Sequence, residues 1–388
     1  METLRLAFIA DRVTPYYMGG YERHLGSLAS ELAKAHQVSV FSAAPSYQGG
    51  QSEPRLVRIA PTLTYTRKKG GHSFPQAAVF AASCAVALPQ LGKFDFVDVL
   101  GIPYLQMLPL RARQALEKWN WGVTIWEAWH DYEYLDGRWG PISAVAFRWA
   151  MRIATKGKHK VIVGSRRTGS ALQELYGVAP ERLHLSPPGV VFQPPDLREP
   201  KGAGSDCIFV GRLDAYKRVS DLLEAVALLN ARGLRVTADI VGDGATGPEL
   251  RARSRQLGIE EQVRFHGFVT EEVKRSLSLG SRVFVMPSER EGFSIATLEG
   301  IAAGLCPLVA RPKREEEFGV GDLIEGFESE LAYPVGSVHA LAESLAYLLS
   351  NPSRRAELAR IVKSHALRFD ITRLAANYIQ MVRNRTSE

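Results

Sequence analysis

The feature that most constrains this chain is an alternation that runs along nearly all of it. Short apolar runs are followed, again and again, by longer stretches of helical period. Leu4–Ala10, Gln37–Ser42, Val123–Trp126, Lys160–Val163 and Arg182–Leu185 read as strands, and Gly19-Gly20 opens a helical stretch from Tyr21 to Ala35. Strands this apolar are buried on both faces, as happens where helices cover both sides of a parallel sheet. The rhythm breaks at Ser186-Pro187-Pro188-Gly189 and Pro194-Pro195, which lead through residues 199–206 (EPKGAGSD). Proline, glycine and charge without periodicity read as a linker. It then restarts with strand Cys207–Val210, helix Val219–Ala231, strand Val236–Val241, helix Pro248–Leu257 and strand Gln262–Phe265. Helix Glu271–Leu279, strand Val283–Met286, a helix containing Glu299 and strand Cys306–Ala310 follow, and the last third is largely helical. The expected class is α/β: two doubly wound parallel-sheet domains with a ligand cleft between the carboxyl ends of their sheets.

Length and composition agree with two domains. The chain has 388 residues, 46% hydrophobic and 23% charged, which is the balance of an ordinary water-exposed globular protein. Three scattered cysteines, Cys84, Cys207 and Cys306, make neither a disulfide framework nor a metal-ligand spacing, so a reducing compartment is expected. Near the start only five apolar residues stand in a row, Leu6 to Ala10, too few for a signal peptide, and they are expected as a buried strand. The longest apolar run, Ala77 to Leu88, is interrupted by Ser83 and flanked by Pro75 and Pro89. It falls short of the roughly 18 residues of a membrane span and is expected as a core helix.

The net charge of +7 is unevenly placed. Residues 1–200 hold 23 Lys and Arg against 16 Asp and Glu, leaving 25 of each sign in residues 201–388. The excess gathers in Arg67-Lys68-Lys69 and between Arg148 and Arg167. A basic first half suits a phosphate-bearing partner or an anionic membrane surface, or is simply a solvated face. No nucleic-acid-binding motif accompanies the charge, so no nucleic acid is expected.

Three stretches of the second half carry candidate chemistry. Strand Cys207–Val210 runs into Gly211-Arg212-Leu213, with Lys217 just before a helix. An Arg and a Lys at the carboxyl end of one strand can neutralise a diphosphate, the first as a fork and the second as a point charge. Gly242-Asp243-Gly244-Ala245-Thr246-Gly247 fits the glycine pattern of a dinucleotide site. That pattern also needs an acid at the end of the next strand, where Arg264-Phe265-His266-Gly267 stands instead. Then Pro287 ends a strand, Glu291-Gly292-Phe293 turns, and Ser294 caps a helix that carries Glu299. The N–H groups at such a helix start suit a phosphate or sugar oxygen, and the two acids can each accept paired hydroxyls. Taken singly, each stretch is also consistent with an exposed basic loop, a tight turn or a solvated surface acid.

In combination they are more specific. Gly211-Arg212-Leu213 with Lys217, Val241-Gly242-Asp243-Gly244, Val263-Arg264-Phe265-His266-Gly267, and Pro287-Ser288 through Glu291-Gly292-Phe293 to Glu299 together resemble glycosyltransferase family 4. Glu291 and Glu299 look like that family's E-x7-E pair. Gly19-Gly20-Tyr21-Glu22-Arg23-His24 resembles its first-domain glycine loop, and Val163-Gly164-Ser165 through Leu172, Pro188-Gly189-Val190 and the closing helix Leu374 to Arg383 also match, so most of the chain is covered.

The resemblance implies the GT-B fold. Residues 1–193 would form the acceptor-side Rossmann-like domain, residues 205–370 the donor domain, and residues 371–388 would pack back on the first. It implies a retaining transferase with no cofactor and no metal. Arg212 and Lys217 would hold the donor's diphosphate, with Gly211 beside them and Gly20 closing from the opposite domain. Glu291 would bind the transferred sugar and Glu299 the ribose. Gly292, Phe293, Ser294 and Ile295 would support sugar and phosphate, and Gly267, Phe268 and Val269 would flank the base. Arg212, Lys217, Glu291 and His130 would be the catalytic group, with Tyr21, Glu127, His130 and Arg166 on the acceptor side.

One departure stands out. Trp126 occupies the place of the family's first-domain histidine if Glu127 is the acid that follows it, leaving His130 either to substitute from four residues on or to face solvent. Trp139 and Trp149, near the basic segment, are candidates for a membrane interface, and Asp131-Tyr132-Glu133 is the one D-x-E in that segment, with no metal role expected. The expected activity is transfer of a hexosyl group from GDP-mannose or a UDP-sugar to a glycan, lipid-linked or phosphate-bearing acceptor. It would take place in the cytoplasm, at the inner face of the membrane. The competing readings are a non-catalytic nucleotide- or glycan-binding module and an NAD-dependent oxidoreductase. Donor, acceptor, linkage and oligomeric state are not legible in the residues.

Overall fold

A computed structural model of the chain describes residues 2–13, 20–46, 50, 52–61, 74–100, 105–114, 119–126, 128, 141–192 and 204–384. The chain divides into two compact units, Met1–Gly189 with Ile371–Glu388, and Val190–Asp370.

In the first unit seven strands, β1 (Arg5–Ile9), β2 (Gln37–Ser42), β3 (Arg55–Arg58), β4 (Phe96–Leu100), β5 (Trp121–Ile125), β6 (Lys160–Val163) and β7 (Leu183–Leu185), form one sheet in the order β3-β2-β1-β4-β5-β6-β7. Every pair is parallel. The strands are joined through helices α1 (Gly20–Ala33), α2 (Phe74–Leu91), α3 (Met107–Gln114), α4 (Pro141–Thr155) and α5 (Arg166–Tyr176). One face of the sheet is packed by Phe80, Cys84, Met107, Leu110 and Met151 from α2, α3 and α4. The other is packed by Leu25, Leu28 and Leu32 of α1.

The second unit repeats the plan. Strands β8 (Cys207–Val210), β9 (Ala238–Val241), β10 (Val263–Gly267), β11 (Val283–Met286), β12 (Cys306–Arg311) and β13 (Ala332–Pro334) are ordered β10-β9-β8-β11-β12-β13, again all parallel. Its helices are α6 (Val219–Ala231), α7 (Gly247–Gln256), α8 (Glu271–Gly280), α9 (Ile295–Ala302), α10 (Glu328–Leu331), α11 (Val338–Ser350) and α12 (Pro352–Ala366). In this sheet chain order reverses between β8 and β11, the kind of switch point at whose carboxyl ends open α/β sheets bind ligands.

The last helix, α13 (Ile371–Arg383), packs on the first unit. Ile371, Leu374, Ala375, Tyr378, Ile379 and Val382 recur at helical spacing and form its buried stripe. The Tyr378 hydroxyl donates to the Asp98 carboxylate in β4 at 2.8 Å. Carbonyls at the helix end accept from Asn120 Nδ2 (Val382, 3.3 Å) and Lys160 Nζ (Asn384, 2.6 Å). A buried lysine therefore meets the negative end of the helix, where a cation is stabilised.

Several boundaries differ from the sequence reading, mostly by one or two residues: the strand expected at Val123–Trp126 spans Trp121–Ile125, and that expected at Gln262–Phe265 spans Val263–Gly267. The strand expected from Val236 begins at Ala238, because the Val236 N–H donates to Asn230 Oδ1 and the Thr237 N–H to Asp206 Oδ2 rather than into the sheet. Of the expected linker, residues 193–203 lie outside the described residues. Ser205 is already buried and bonds the Cys207 carbonyl at 2.7 Å. All three cysteines are buried and unbridged.

Candidate functional site

The two strands that flank the reversal in the second sheet deliver the candidate residues. After β8, Gly211 leaves the sheet with its N–H still bonded to the Val241 carbonyl (3.0 Å), and a short turn over Ala215–Lys217 presents Lys217. After β11, the chain runs through Ser288 to Glu291. The Glu289 N–H donates to the Tyr216 carbonyl at 2.8 Å, which ties the two loops together.

Across that tie the Lys217 ammonium meets Glu291 Oε1 at 2.5 Å, with both side chains about nine-tenths buried (13% and 11% exposed). An ion pair so desolvated holds its partners firmly, since separating them would leave a charge in a poorly solvated place. Arg212 lies at the rim, 56% exposed, 3.1 Å from Asp214 and with Nη2 3.4 Å from the Tyr216 hydroxyl.

Glu291 is held from the other side as well. Its N–H donates to the Glu317 carbonyl, and its own carbonyl accepts from the Gly319 N–H at 2.9 Å. Backbones meet closely here: a Cβ on residue 319 would lie 1.8 Å from the Gly292 carbonyl oxygen, so only glycine fits. Phe293 is buried edge-on against Phe369 at 5.1 Å. Ser294 caps α9 as expected, with its hydroxyl accepting from the Thr297 N–H. It does so at φ 73°, a left-handed conformation that is costly for a residue other than glycine. Ile295 is half-buried at the start of α9.

On α9 Glu299 accepts from Lys274 Nζ at 2.9 Å, and Lys274 also reaches Glu271 at 2.6 Å. The sequence reading missed Lys274. Its i,i+3 spacing to Glu271 is visible in the sequence, but nothing there aims it at an acid on another helix.

The remaining second-unit residues lie at the ends of β9 and β10. Gly267 has φ 67° and accepts from the Gly242 N–H at 2.8 Å, Phe268 is 69% exposed and Val269 half-buried. A Cβ on residue 242 would lie 1.8 Å from the Gly211 carbonyl oxygen. This glycine therefore lets two loops of the protein touch, which accounts for it without a dinucleotide. Asp239, the buried acid nearest in this part of the sheet, is bound by Arg264 (2.8 and 2.9 Å) and His266 (2.7 Å). Burial opposes its ionisation, but the hydrogen bonds from Arg264, His266 and Ser205 prevail and its carboxyl is held below the usual range. It is occupied within the fold.

First-unit candidates form a separate set. Gly20 begins α1, and Tyr21 lies edge-on to Trp126 at 6.1 Å. Trp126 also meets His24 at 4.9 Å. His24 is buried, its Nδ1 accepts from the Gly189 N–H at 3.2 Å, and burial pushes its pKa down to about 3, so it stays neutral. Arg166 is exposed on the first turn of α5, after the Ser165 cap. Gly19, Glu127, Trp129, His130, Asp131-Tyr132-Glu133 and Trp139 lie outside the described residues. Among the described residues no three His, Cys, Asp or Glu side chains converge as a metal-ligand set, and no helix is long and apolar enough to cross a membrane.

Comparison with known proteins bears on both units. The family described as Glycosyltransferase Family 4 matches residues 18–193, and that described as Glycosyl transferases group 1 matches residues 199–365. A D-inositol 3-phosphate glycosyltransferase of Acidothermus cellulolyticus is 31% identical over 51% of this chain, which spans about half (47%) of that relative. An MMP alpha-(1->4)-mannosyltransferase of Mycolicibacterium hassiacum is 26% identical over 79% of this chain and 80% of its own. Among solved structures, the sucrose-phosphate synthase of Thermosynechococcus elongatus superposes with a TM-score of 0.78 at 18% identity, covering 98% of each chain. Anabaena HepE in complex with UDP superposes at 0.72 and 17% identity, over 98% of this chain and 99% of that one. The fold is GT-B.

Proposed function

The chain belongs to glycosyltransferase family 4, and on that premise we propose that it transfers a hexosyl group from a nucleotide diphosphate sugar to an acceptor with retention of anomeric configuration. The observation that carries this reading is the 2.5 Å contact between Lys217 and Glu291. It brings a cation suited to a diphosphate and an acid suited to sugar hydroxyls together where the second sheet reverses.

In this reading the bond between the anomeric carbon and the diphosphate breaks first. Arg212 and Lys217 take up the charge that develops on the leaving oxygen, the work a metal ion does in other phosphate sites. The acceptor hydroxyl then attacks from the face the diphosphate leaves and passes its proton to the departing diphosphate oxygen, which retains configuration. Glu291 orients the sugar and Glu299, held by Lys274, takes the ribose hydroxyls. The donor is GDP-mannose or a UDP-sugar. The UDP bound by HepE supports a UDP-sugar, and the mannosyltransferase named above supports a mannosyl group as the sugar transferred. The acceptor is a glycan, lipid-linked or phosphate-bearing molecule met at an anionic membrane surface. Support for that step is the charge excess of the first 200 residues.

The test is a thermal-shift screen of GDP-, UDP- and ADP-sugars followed by NMR of the product's anomeric carbon. Ligand at about 100 times its Kd should add about 2.7 kcal/mol of stability. Absence of a shift and of nucleotide release with all three donors would refute the reading, and an inverted product would refute retention. Indifference to anionic liposomes at low salt would remove the membrane step alone.

A further inference from the structure

Tyr216 has no part in the reading above, yet two of its contacts reach residues that do, Lys217 and Arg212, and two reach the loop that carries Glu291. Its ring lies 5.0 Å from Lys217 Nζ and 5.2 Å from the Arg290 guanidinium, measured to the ring centroid. Its hydroxyl lies 3.4 Å from Arg212 Nη2. Its carbonyl accepts the Glu289 N–H at 2.8 Å, joining the loop after β8 to the loop that carries Glu291. Three cations therefore gather around one half-buried phenol.

Like charges this close repel one another, and Asp214 and Glu291 are among the acids that oppose that repulsion. The negative face of an aromatic ring attracts cations and constrains where they lie. A diphosphate is bound best by donors already converged, because little side-chain freedom is then lost on binding.

We propose that Tyr216 is a positioning residue for the donor's diphosphate, its ring holding Lys217 and Arg290 and its hydroxyl steering Arg212 into one cationic cradle. This rests on the donor-site reading given above and adds to it both the aromatic hub and a third cation, Arg290.

The test is calorimetric titration of UDP and GDP, with UMP and GMP for comparison, into wild type, Tyr216→Leu and Tyr216→Phe. Tyr216→Leu loses ring and hydroxyl together and should weaken whichever diphosphate binds by about thirtyfold, about tenfold from two cation–π contacts and about threefold from the hydroxyl. The matching monophosphate should lose less. Tyr216→Phe keeps the ring and should recover all but about threefold, since only the long contact to Arg212 goes. A general collapse of the loop would weaken mono- and diphosphate alike and would not be rescued by phenylalanine. If Tyr216→Leu does not fold, Arg290→Gln serves in its place, and should weaken the diphosphate by about threefold.

Tyr216→Leu binding as wild type, or Tyr216→Phe falling as far as Tyr216→Leu, overturns the inference while leaving the donor site intact. Wild type that binds neither UDP nor GDP overturns the donor-site reading and the inference with it.

Discussion

Asp98 offers the sharpest test of the packing of the first unit. It lies in the middle of β4, 1% exposed, and its oxygens accept from the Thr124 hydroxyl (2.8 and 2.9 Å) and the Tyr378 hydroxyl (2.8 Å). Burial pushes its carboxyl from 3.8 up to about 7, against the two hydroxyls, which favour the charged form. A folded pKa above the unfolded one means that the native state holds the proton more tightly. The stability from this group is full below about pH 4 and is lost as pH rises towards 7. With those two values, linkage removes about 2.5 kcal/mol between about pH 5 and about pH 8.

Wild type alone would not reveal this. Burial pushes His24 and His159 down from 6.5 to about 3, and groups depressed in that way contribute stability above pH 6.5 that fades on acidification. Their slope opposes that of Asp98. Asp98→Asn cannot ionise and keeps an oxygen for Thr124 and Tyr378, so subtracting variant from wild type cancels the histidines. All six tryptophans lie between residues 119 and 149, so urea unfolding followed by their fluorescence reports the first unit. The variant should gain about 2.5 kcal/mol on wild type from about pH 5 to about pH 8, whatever its constant offset. A difference flat to within about 0.5 kcal/mol would mean that Asp98 is ionised throughout and that the reasoning from burial is wrong.

The two proposed diphosphate cations should separate in stability. Arg212→Ala removes an exposed partner of Asp214 and should cost under about 1 kcal/mol, whereas Lys217→Ala leaves Glu291 largely buried without its cation and should cost about 3 kcal/mol by thermal or urea unfolding. Both should lower transfer by about a hundredfold or more, and an Arg212→Ala enzyme of normal rate would remove Arg212 from the mechanism. Gly319→Ala places its new carbon 1.8 Å from the Gly292 carbonyl oxygen, so it should destabilise the second unit by about 2 kcal/mol or more and raise the donor KM; wild-type values for both would show that the loop yields freely.

Much of the fold could be read from the residues because buried parallel strands are continuous apolar runs. Gln37–Ser42, Cys207–Val210, Val283–Met286 and the helix Val219–Ala231 stand at the boundaries their pattern gives. What escaped lacks that pattern for a physical reason. β4 carries Asp98 at its centre, where the hydroxyls of Thr124 and Tyr378 accommodate an acid that breaks the apolar run. β3 is an edge strand with arginines at both ends, half-exposed, and β13 is a three-residue edge strand ending in proline. In the site, the spacing of Glu291 and Glu299 was legible as a motif. The contacts that organise it were not: Lys217 and Glu291 are 74 residues apart, and Lys274 and Glu299 are 25 apart. Only the strand order of the second sheet brings such pairs together.

The return of α13 to the first unit sets an order on synthesis. A ribosome delivers β1 to β7 early, yet the ring that covers Phe8 and Phe96 and the hydroxyl that meets Asp98 belong to Tyr378 and emerge only after residues 190–370. Residues 190–370 can close their own sheet in the meantime. The half of the protein that is made first is thus finished second, and a nascent chain stalled before residue 371 would hold one completed unit beside another with its greasy flank still open to chaperones.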